Sequence, residues 1–168
     1  LHKTCFTAML KTIALLLLFF GDVVSYKILV MPQMSGLNSL MLNMQKMADI
    51  LSQDGHQVDV IMNNRVKDHI IVEHARVINF NVPDDAIDVT KFTIEDWNLK
   101  GFDFFVMVTN FYNVQVPFCD SLFQNEALMN KIWDADYDLI LADMISLCSG
   151  IITSHLNVTT IMYQNFGF

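Results

Sequence analysis

The amino-acid sequence predicts an α/β fold, a Rossmann-like parallel sheet with helices on both faces. Short runs rich in Val, Ile and Leu alternate along the chain with longer segments of helical periodicity, which is the pattern of a parallel sheet joined by crossover helices. The runs are apolar throughout, as strands are when both faces of the sheet are covered. With 168 residues, of which 53% are hydrophobic and 17% charged, the chain can bury the core of one domain.

The first elements form a βαβ unit. Residues 26–31 are a short apolar strand, residues 37–53 an amphipathic helix, and residues 57–62 the second strand. Gly55 is placed to end the helix as its C′ residue, and the crossover between the two strands is expected to be right-handed. The apolar face of the helix consists of Leu37, Leu40, Met41, Met44, Met47, Ala48 and Leu51.

The rest of the chain continues this alternation. The further strands are predicted at Arg76–Phe80, residues 137–142 and Thr159–Tyr163. The helical segments are predicted at residues 102–136, with a break near Pro117 and the clearest helix over 121–133, and at residues 144–156. Residues 63–74 are predicted as a loop or short helix, and residues 81–100 as loops with weak helix.

The N-terminal segment is typical of a secretory signal peptide. Lys11 supplies the positive charge, residues 13–20 form an apolar run too short to span a bilayer, and cleavage is predicted before Tyr26. The predicted organisation is therefore a signal peptide over residues 1–25, of which 1–8 are upstream read-through, and a truncated domain over residues 26–168. An N-terminal membrane anchor or a buried helix remains an alternative for the apolar run.

The net charge and the cysteine content bear on the class of binding partner and on the cellular compartment. The net charge is −8 and the pI is near 4.8, which argues against nucleic acid. Cys119 and Cys148 could pair in an oxidising lumen, but their apolar surroundings favour buried thiols. Asn157 begins an Asn-Val-Thr sequon, so it is a predicted glycosylation site.

Two places qualify as a ligand site, because ligands in such sheets bind beyond the carboxyl ends of the strands. One is the loop over residues 34–39, and the other is Asp143 at the end of the YDLILA strand. The loop contains only Gly36, so it is not a dinucleotide fingerprint, and the sequence has no P-loop and no nucleophile elbow. The histidines do not have zinc spacing, so no metal site is predicted.

Asp143 allows two interpretations. It could be the N-cap of the helix that follows from Met144, or a carboxylate that orients a histidine base across the crevice. The two roles are compatible. His56 and His155 precede strands and are therefore expected at the opposite, amino edge of the sheet.

Several short motifs occur in the order found in one enzyme family. KILVMP is followed by ADILSQDGHQVDVI, then by C-D-S-x-x-x-N-x-x-L-M-x-K, YDLILAD and C-S-G. In this order they resemble the N-terminal half-domain of the UDP-glucuronosyltransferases and related UDP-glycosyltransferases, in the style of invertebrate members. The resemblance spans residues 26–168 and is loosest over residues 63–118.

The resemblance implies the incomplete N-terminal half of a two-domain GT-B glycosyltransferase. This domain would bind a small lipophilic acceptor, and a C-terminal domain absent from the sequence would bind the UDP-sugar, which is a co-substrate. No metal and no cofactor are implied. Members of the family lie in the endoplasmic reticulum lumen and are held in the membrane by a C-terminal helix. The acceptor-binding residues would be Met34, Ser35, Gly36, Asn38 and Ser39.

The catalytic pair of the family is only half present. Asp143 matches the aspartate that stabilises the protonated histidine, but the position of the histidine base falls on Leu40, which cannot accept a proton. General base catalysis contributes a factor of about 10² to 10⁴ to the rate. The sequence therefore predicts a glycosyl-transfer site that has lost most of its activity or that uses a different base. Three explanations remain open: His69 is the base, Asp143 itself is the base, or the chain binds an acceptor without efficient catalysis.

The resulting interpretation is a glucuronosyltransferase-like hexosyltransferase that uses a UDP-sugar and acts on small lipophilic hydroxyl compounds. The alternative is a catalytically impaired module that binds a lipophile or a protein partner.

Overall fold

The computed structural model of the chain describes residues 24–33, 39–83 and 104–164. These residues form one sheet of five parallel strands in the order β3-β2-β1-β4-β5. The strands are β1 Lys27–Met31, β2 Gln57–Asn63, β3 Arg76–Phe80, β4 Leu139–Asp143 and β5 Thr159–Tyr163. All five predicted strands are present, and the Rossmann-like α/β fold is confirmed.

Helices cover both faces of the sheet. They are α1 Ser39–Gln53, α2 Phe104–Phe123, α3 Glu126–Trp133 and α4 Leu147–Leu156, with a 3₁₀ helix at Asn64–His69. Successive side chains of a strand point to opposite faces, so Ile28 and Val30 of β1 pack under α1, whereas Leu29 and Met31 pack under α2, α3 and α4. The three central strands β1, β2 and β4 are therefore buried on both sides, whereas the edge strands β3 and β5 are partly exposed.

The long helical region divides at a different residue from the one predicted. Pro117 lies inside α2, and the helix continues for six residues beyond it. An interior proline costs about 3 kcal/mol, but α2 buries Val114, Phe118 and Leu122 on one face, and each of these contributes roughly 1.5–3 kcal/mol. The chain breaks instead before Asn125, whose side chain caps α3 by accepting from the Leu128 N–H. The predicted break near Pro117 and the continuous helix over 121–133 are therefore wrong.

A disulfide joins two of the helices. Cys119 in α2 and Cys148 in the first turn of α4 are bonded, and both are buried. The prediction of buried free thiols is wrong, because α2 and α4 pack directly on one another and bring the two side chains together. The apolar surroundings that argued for free thiols accommodate a disulfide equally well.

Two predictions lie wholly or largely outside the described residues. These are the signal peptide up to residue 23 and most of the segment predicted as loops and weak helix over 81–100. Within the described part of the chain, no helix has the length and apolar character needed to cross a membrane.

Candidate active site

The carboxyl ends of β1 and β4 lie side by side at one edge of the sheet. Met31, the last residue of β1, pairs with Ala142, so Asp143 lies level with Pro32, where the loop after β1 begins. The strand order changes direction here, because β2 and β3 extend the sheet to one side of β1 and β4 and β5 extend it to the other. Ligands of open α/β sheets bind in the crevice at such a switch point.

Asp143 is a buried carboxylate at this edge, only 1% exposed. It follows Leu141 by two residues, so its side chain lies on the face covered by α1. Its Oδ1 accepts a hydrogen bond from the Ile145 N–H at 2.7 Å, whereas its Oδ2 has no hydrogen-bond partner in the described part of the chain. Burial raises the pKa of Asp143, and the N–H groups of Ile145, Gln33 and Ser146 oppose that rise only in part.

Asp143 does not cap a helix, so that predicted role is wrong. The last helix begins at Leu147 rather than Met144, and its N-cap is Ser146, whose side chain accepts from the Ser149 N–H. The Asp143 side chain instead closes a turn onto the N–H two residues ahead, as Asp often does. One carboxylate oxygen is thereby used by the turn, and the other has no partner among the residues that the structure describes.

The predicted acceptor-binding residues are only partly described. Ser39 is the exposed first residue of α1, and Leu40, where the resemblance puts the base, is 8% exposed. Both lie in the first turn of the helix that covers the Asp143 face. The predicted residues that fall outside the described part are Met34, Ser35, Gly36 and Asn38.

The rim beside Asp143 is apolar. Met144 and Ile145, which follow it directly, are 62% and 40% exposed. Tyr112 and Val116 are also exposed, on α2, which covers the other face of the sheet and whose Gln115 bonds to the Ile145 carbonyl. An apolar surface at the edge where ligands of such sheets bind suits a lipophilic molecule better than a charged one.

The described histidines do not gather at this crevice. His56 lies at the amino edge, where its Nδ1 accepts from the Tyr26 N–H, and His155 packs against the Trp133 ring with the centroids 4.7 Å apart. His74 lies just before β3, also at the amino edge. Only His69 follows the carboxyl end of a strand, and it is exposed at the end of the 3₁₀ helix. No group of three metal-ligating side chains occurs among the residues described.

Gln115 is a residue of this site that the sequence interpretation missed. It is 2% exposed, and its amide bonds twice to the turn that follows Asp143, at Ile145 and Leu147. A signal for it exists in the sequence. Gln115 is four residues before Cys119 and directly after Val114, so it is a polar residue on the apolar face of a helix.

A second buried acid lies at the opposite edge of the sheet. Asp59 in β2 is 4% exposed, and its carboxylate accepts from the Arg76 guanidinium at 2.6 Å and from the Tyr137 hydroxyl at 2.7 Å. Two open grooves of about 330 and 540 Å³ flank Arg76 at this amino edge. Since parallel sheets bind ligands at their carboxyl edge, we assign the candidate site to Asp143 rather than to these grooves.

The predicted glycosylation site is accessible. Asn157 is exposed and ends α4 in a left-handed conformation, with φ 51°. Asn tolerates this conformation better than most residues. Whether the sequon is used stays a prediction.

A protein-family model matches nearly the whole domain. Residues 26–167 match the family described as UDP-glucoronosyl and UDP-glucosyl transferase. Among curated human proteins, UDP-glucuronosyltransferase 1A3 is 28% identical over an alignment of 153 residues that covers 83% of this chain and 27% of that protein. UDP-glucuronosyltransferase 2B17 is 23% identical over an alignment of 134 residues that covers 70% of this chain and 25% of that protein. The chain thus spans about a quarter of the length of these relatives.

Solved structures show the same architecture. The calicheamicin glycosyltransferase CalG4 superposes with a TM-score of 0.55 at 13% identity, over 87% of this chain and 35% of that one. Arabidopsis thaliana UGT89C1 complexed with UDP gives a TM-score of 0.54 at 13% identity, over 85% and 35%. At these identities the likeness concerns the fold, which is the Rossmann-like fold of GT-B glycosyltransferases.

Proposed function

The chain belongs to the UDP-glucoronosyl and UDP-glucosyl transferase family, and we propose that it is the N-terminal, acceptor-binding part of a UDP-sugar-dependent glycosyltransferase. The proposed reaction is glucuronosyltransferase-like: a hexose passes from the UDP-sugar to the hydroxyl group of a small lipophilic acceptor. The UDP-sugar would be bound by a further domain, because the family relatives are about four times as long as the matched region.

One observation carries the proposal: the Asp143 carboxylate is buried at the switch point of the sheet and keeps an oxygen that the described fold does not use. A buried oxygen without a partner is costly, so its retention points to a ligand or a catalytic group that completes it. The exposed apolar rim at Met144 and Ile145 supports a lipophilic acceptor beside it.

Asp143 has the properties of a proton acceptor in this site. Burial raises its pKa, and a carboxylate with a raised pKa is a better base near neutral pH than an ordinary one. In the proposed step Oδ2 takes the proton of the acceptor hydroxyl, the hydroxyl oxygen bonds to the anomeric carbon, and UDP leaves with the electrons of the broken bond. This role replaces the absent histidine, whose family position is occupied by Leu40.

A second candidate function is favoured by the same leucine. Leu40 is almost fully buried in the first turn of α1, so the residue in the base position serves the core. If Asp143 does not act as a base, the chain binds a lipophilic acceptor or a protein partner without efficient transfer. His69 is the remaining candidate base, at the same edge but on the exposed 3₁₀ helix.

The proposed location is the secretory pathway, in the endoplasmic reticulum lumen, with membrane attachment through a C-terminal helix as the family resemblance implies. The Cys119–Cys148 disulfide supports an oxidising compartment, and the exposed sequon at Asn157 supports a glycoprotein.

The test is UDP release by the full-length protein with a panel of small lipophilic alcohols and phenols. We expect the Asp143→Asn variant to lose about 10²- to 10⁴-fold in kcat/KM, which is the usual contribution of a positioned base. Asp59→Asn is the matched control, since it neutralises an equally buried aspartate at the other edge and should leave the rate of the folded protein unchanged.

The Leu40→His variant separates the two candidate functions. If the wild type is active and Leu40→His adds little, Asp143 or another group already serves as base. If the wild type is inactive and Leu40→His creates activity that Asp143→Asn abolishes, the chain is an impaired relative whose site is otherwise intact. Equal activity of wild type and Asp143→Asn would contradict the catalytic role of Asp143.

A further inference from the structure

The side chain of Gln115 holds the turn after Asp143 at two points. Its Nε2 donates to the Ile145 carbonyl at 3.2 Å, and its Oε1 accepts from the Leu147 N–H at 2.8 Å. Gln115 is 2% exposed, so its amide group would lack a partner if these two partly buried bonds were lost.

The turn held by Gln115 is the one that orients the carboxylate. Ile145 donates its N–H to Asp143 Oδ1 at 2.7 Å and gives its carbonyl to Gln115. Both backbone groups of Ile145 are therefore fixed, one by each side chain. The Ile145 N–H occupies Oδ1 of Asp143. Ile145 cannot rotate away from this oxygen unless its carbonyl loses the hydrogen bond from Gln115.

The helix that carries Gln115 is itself anchored to the far end of the same turn. Cys119, one helical turn after Gln115, is bonded to Cys148, which lies one residue after Leu147. Val114 and Phe118 on the same face of α2 are buried in the core. Gln115 thus reaches the turn from a helix that the disulfide prevents from sliding along α4.

We propose that Gln115 is a positioning residue, which keeps the Ile145 N–H on Asp143 Oδ1 and so leaves Oδ2 as the oxygen that a ligand or a catalytic group can complete. The consequence for catalysis rests on the proposed function, but the positioning itself does not. In this arrangement one buried amide on α2 sets the orientation of an acid on β4.

A purely structural role is the competing explanation. Leu147 is the first residue of α4, and its N–H belongs to the helix end that lacks an intrahelical partner. Gln115 could serve only to satisfy this donor, in which case its loss would destabilise the fold without a specific effect at Ile145. The experiment must therefore distinguish loss of stability from loss of position.

Hydrogen exchange of the full-length protein, followed by mass spectrometry on peptides that cover residues 144–147, makes this distinction. We expect Gln115→Met to accelerate exchange in this segment by about 10- to 100-fold, the factor that corresponds to a lost buried hydrogen bond. Gln45→Met is the matched control. Gln45 is also fully buried and accepts from a backbone N–H, that of Ile71, so its variant loses a similar bond elsewhere and should leave 144–147 protected.

The Gln115→Glu variant provides a second test in case Gln115→Met does not fold. A protonated carboxyl can still donate to the Ile145 carbonyl and accept from the Leu147 N–H, whereas an ionised carboxylate has no hydrogen to donate. We expect protection of 144–147, after correction for the intrinsic pH dependence of exchange, to be retained at low pH and lost as the new carboxyl ionises.

The outcomes separate this inference from the proposed function. Unchanged protection of 144–147 in both Gln115 variants, or equal loss in Gln115→Met and Gln45→Met, would overturn the positioning role whether or not the protein is a transferase. Where UDP release is measurable, Gln115→Met is expected to lower kcat/KM and to move its pH profile, and Gln45→Met to do neither.

Discussion

The two edges of the sheet each bury an aspartate, and they treat it in opposite ways. At the amino edge, the two oxygens of Asp59 are bonded to Arg76, and one of them also to the Tyr137 hydroxyl. At the carboxyl edge, Asp143 has one oxygen on a backbone N–H and the other without a partner among the described residues. The first arrangement satisfies the buried charge, and the second leaves it incomplete.

This difference indicates which acid has a structural role. Asp59 raises the pKa of Arg76 through their hydrogen bonds, and burial together with the bond to Asp59 raises the pKa of Tyr137, so the guanidinium and the phenol are both held in their protonated forms. Among the described residues Asp143 Oδ2 has no hydrogen-bond partner, and burial raises the pKa of Asp143. A carboxyl group whose charged form is disfavoured and whose oxygen is unused is the better candidate for chemistry.

The edges also differ in how their backbone is fixed, and the largest expected effect follows from this. The carboxyl-edge turn depends on a covalent bond, since Cys119 and Cys148 close a loop across 29 positions of sequence. We expect loss of this bond, by reductant or in the Cys119→Ser/Cys148→Ser variant, to lower the free energy of unfolding by roughly 3–4 kcal/mol. Urea denaturation measures this change.

Regional hydrogen exchange sharpens that result. Below the unfolding transition, reductant should increase exchange in residues 144–147 and leave the segment around Asp59 and Arg76 as it was. The serine variant serves as the control, because reductant should have no further effect on it. Equal loss of protection at both edges would mean that the disulfide stabilises the domain as a whole rather than the candidate site.

Neutralising the amino-edge acid is expected to have the next largest effect. Asp59→Asn removes the charge that pairs with Arg76 and turns one of the two acceptor oxygens into a donor, and breaking a buried ion pair typically costs about 3–5 kcal/mol. Arg76 is 70% exposed, so water compensates part of the loss, and we expect a decrease of about 2 kcal/mol in the free energy of unfolding. Asp138→Asn is the control at the same edge: it is exposed, and an amide oxygen can still accept from the Lys27 N–H. A change below that of Asp138→Asn would show that the cluster contributes nothing to stability.

The strands could be predicted from sequence because their signal is local. Every strand coincides with a short run rich in apolar and β-branched residues, and β3 and β5 have the predicted bounds without change. The helix boundaries were less predictable, because competing local signals decide them. Pro117 is a strong helix breaker by propensity, yet the buried face of α2 outweighs it. Ser146 and Asp143 are both good capping residues, and only the geometry of the turn shows that Ser146 is the cap.

The candidate site was only partly predictable for a different reason. Asp143 could be found from its place at the end of a strand. Gln115 could not be assigned to it, because the contact joins residues 30 and 32 positions apart, and nothing local to α2 indicates which turn its amide reaches. The disulfide has the same character: Cys119 and Cys148 carry no local sign of pairing, and only the packing of α2 on α4 brings them together.

The smallest expected effect is also the sharpest contrast between the edges. Neutralising Asp143 should raise the free energy of unfolding, whereas neutralising Asp59 should lower it. The folded-state pKa of Asp143 is raised above its ordinary value of 3.8. Below pH 3.8 the carboxyl is protonated in both the folded and the unfolded protein, and the stability of the neutral form is fully present. As the pH rises from there through the raised pKa, the unfolded state ionises more readily than the folded one, and stability is lost.

The Asp143→Asn variant has no carboxyl to titrate at this position. The difference in free energy of unfolding between the variant and the wild type should therefore grow as the pH rises from 3.8 through the raised pKa, and then stay constant. At neutral pH we expect the variant to be more stable than the wild type by about 1.4 kcal/mol for each unit by which the pKa is raised, whereas Asp59→Asn is less stable. Urea denaturation from pH 3.5 to 7.5 measures both, with Asp138→Asn as the exposed control. An Asp143→Asn variant less stable than the wild type at neutral pH would mean that the ionised carboxylate has a partner in the folded protein. The contrast between a satisfied and an unsatisfied buried acid would then no longer distinguish the two edges.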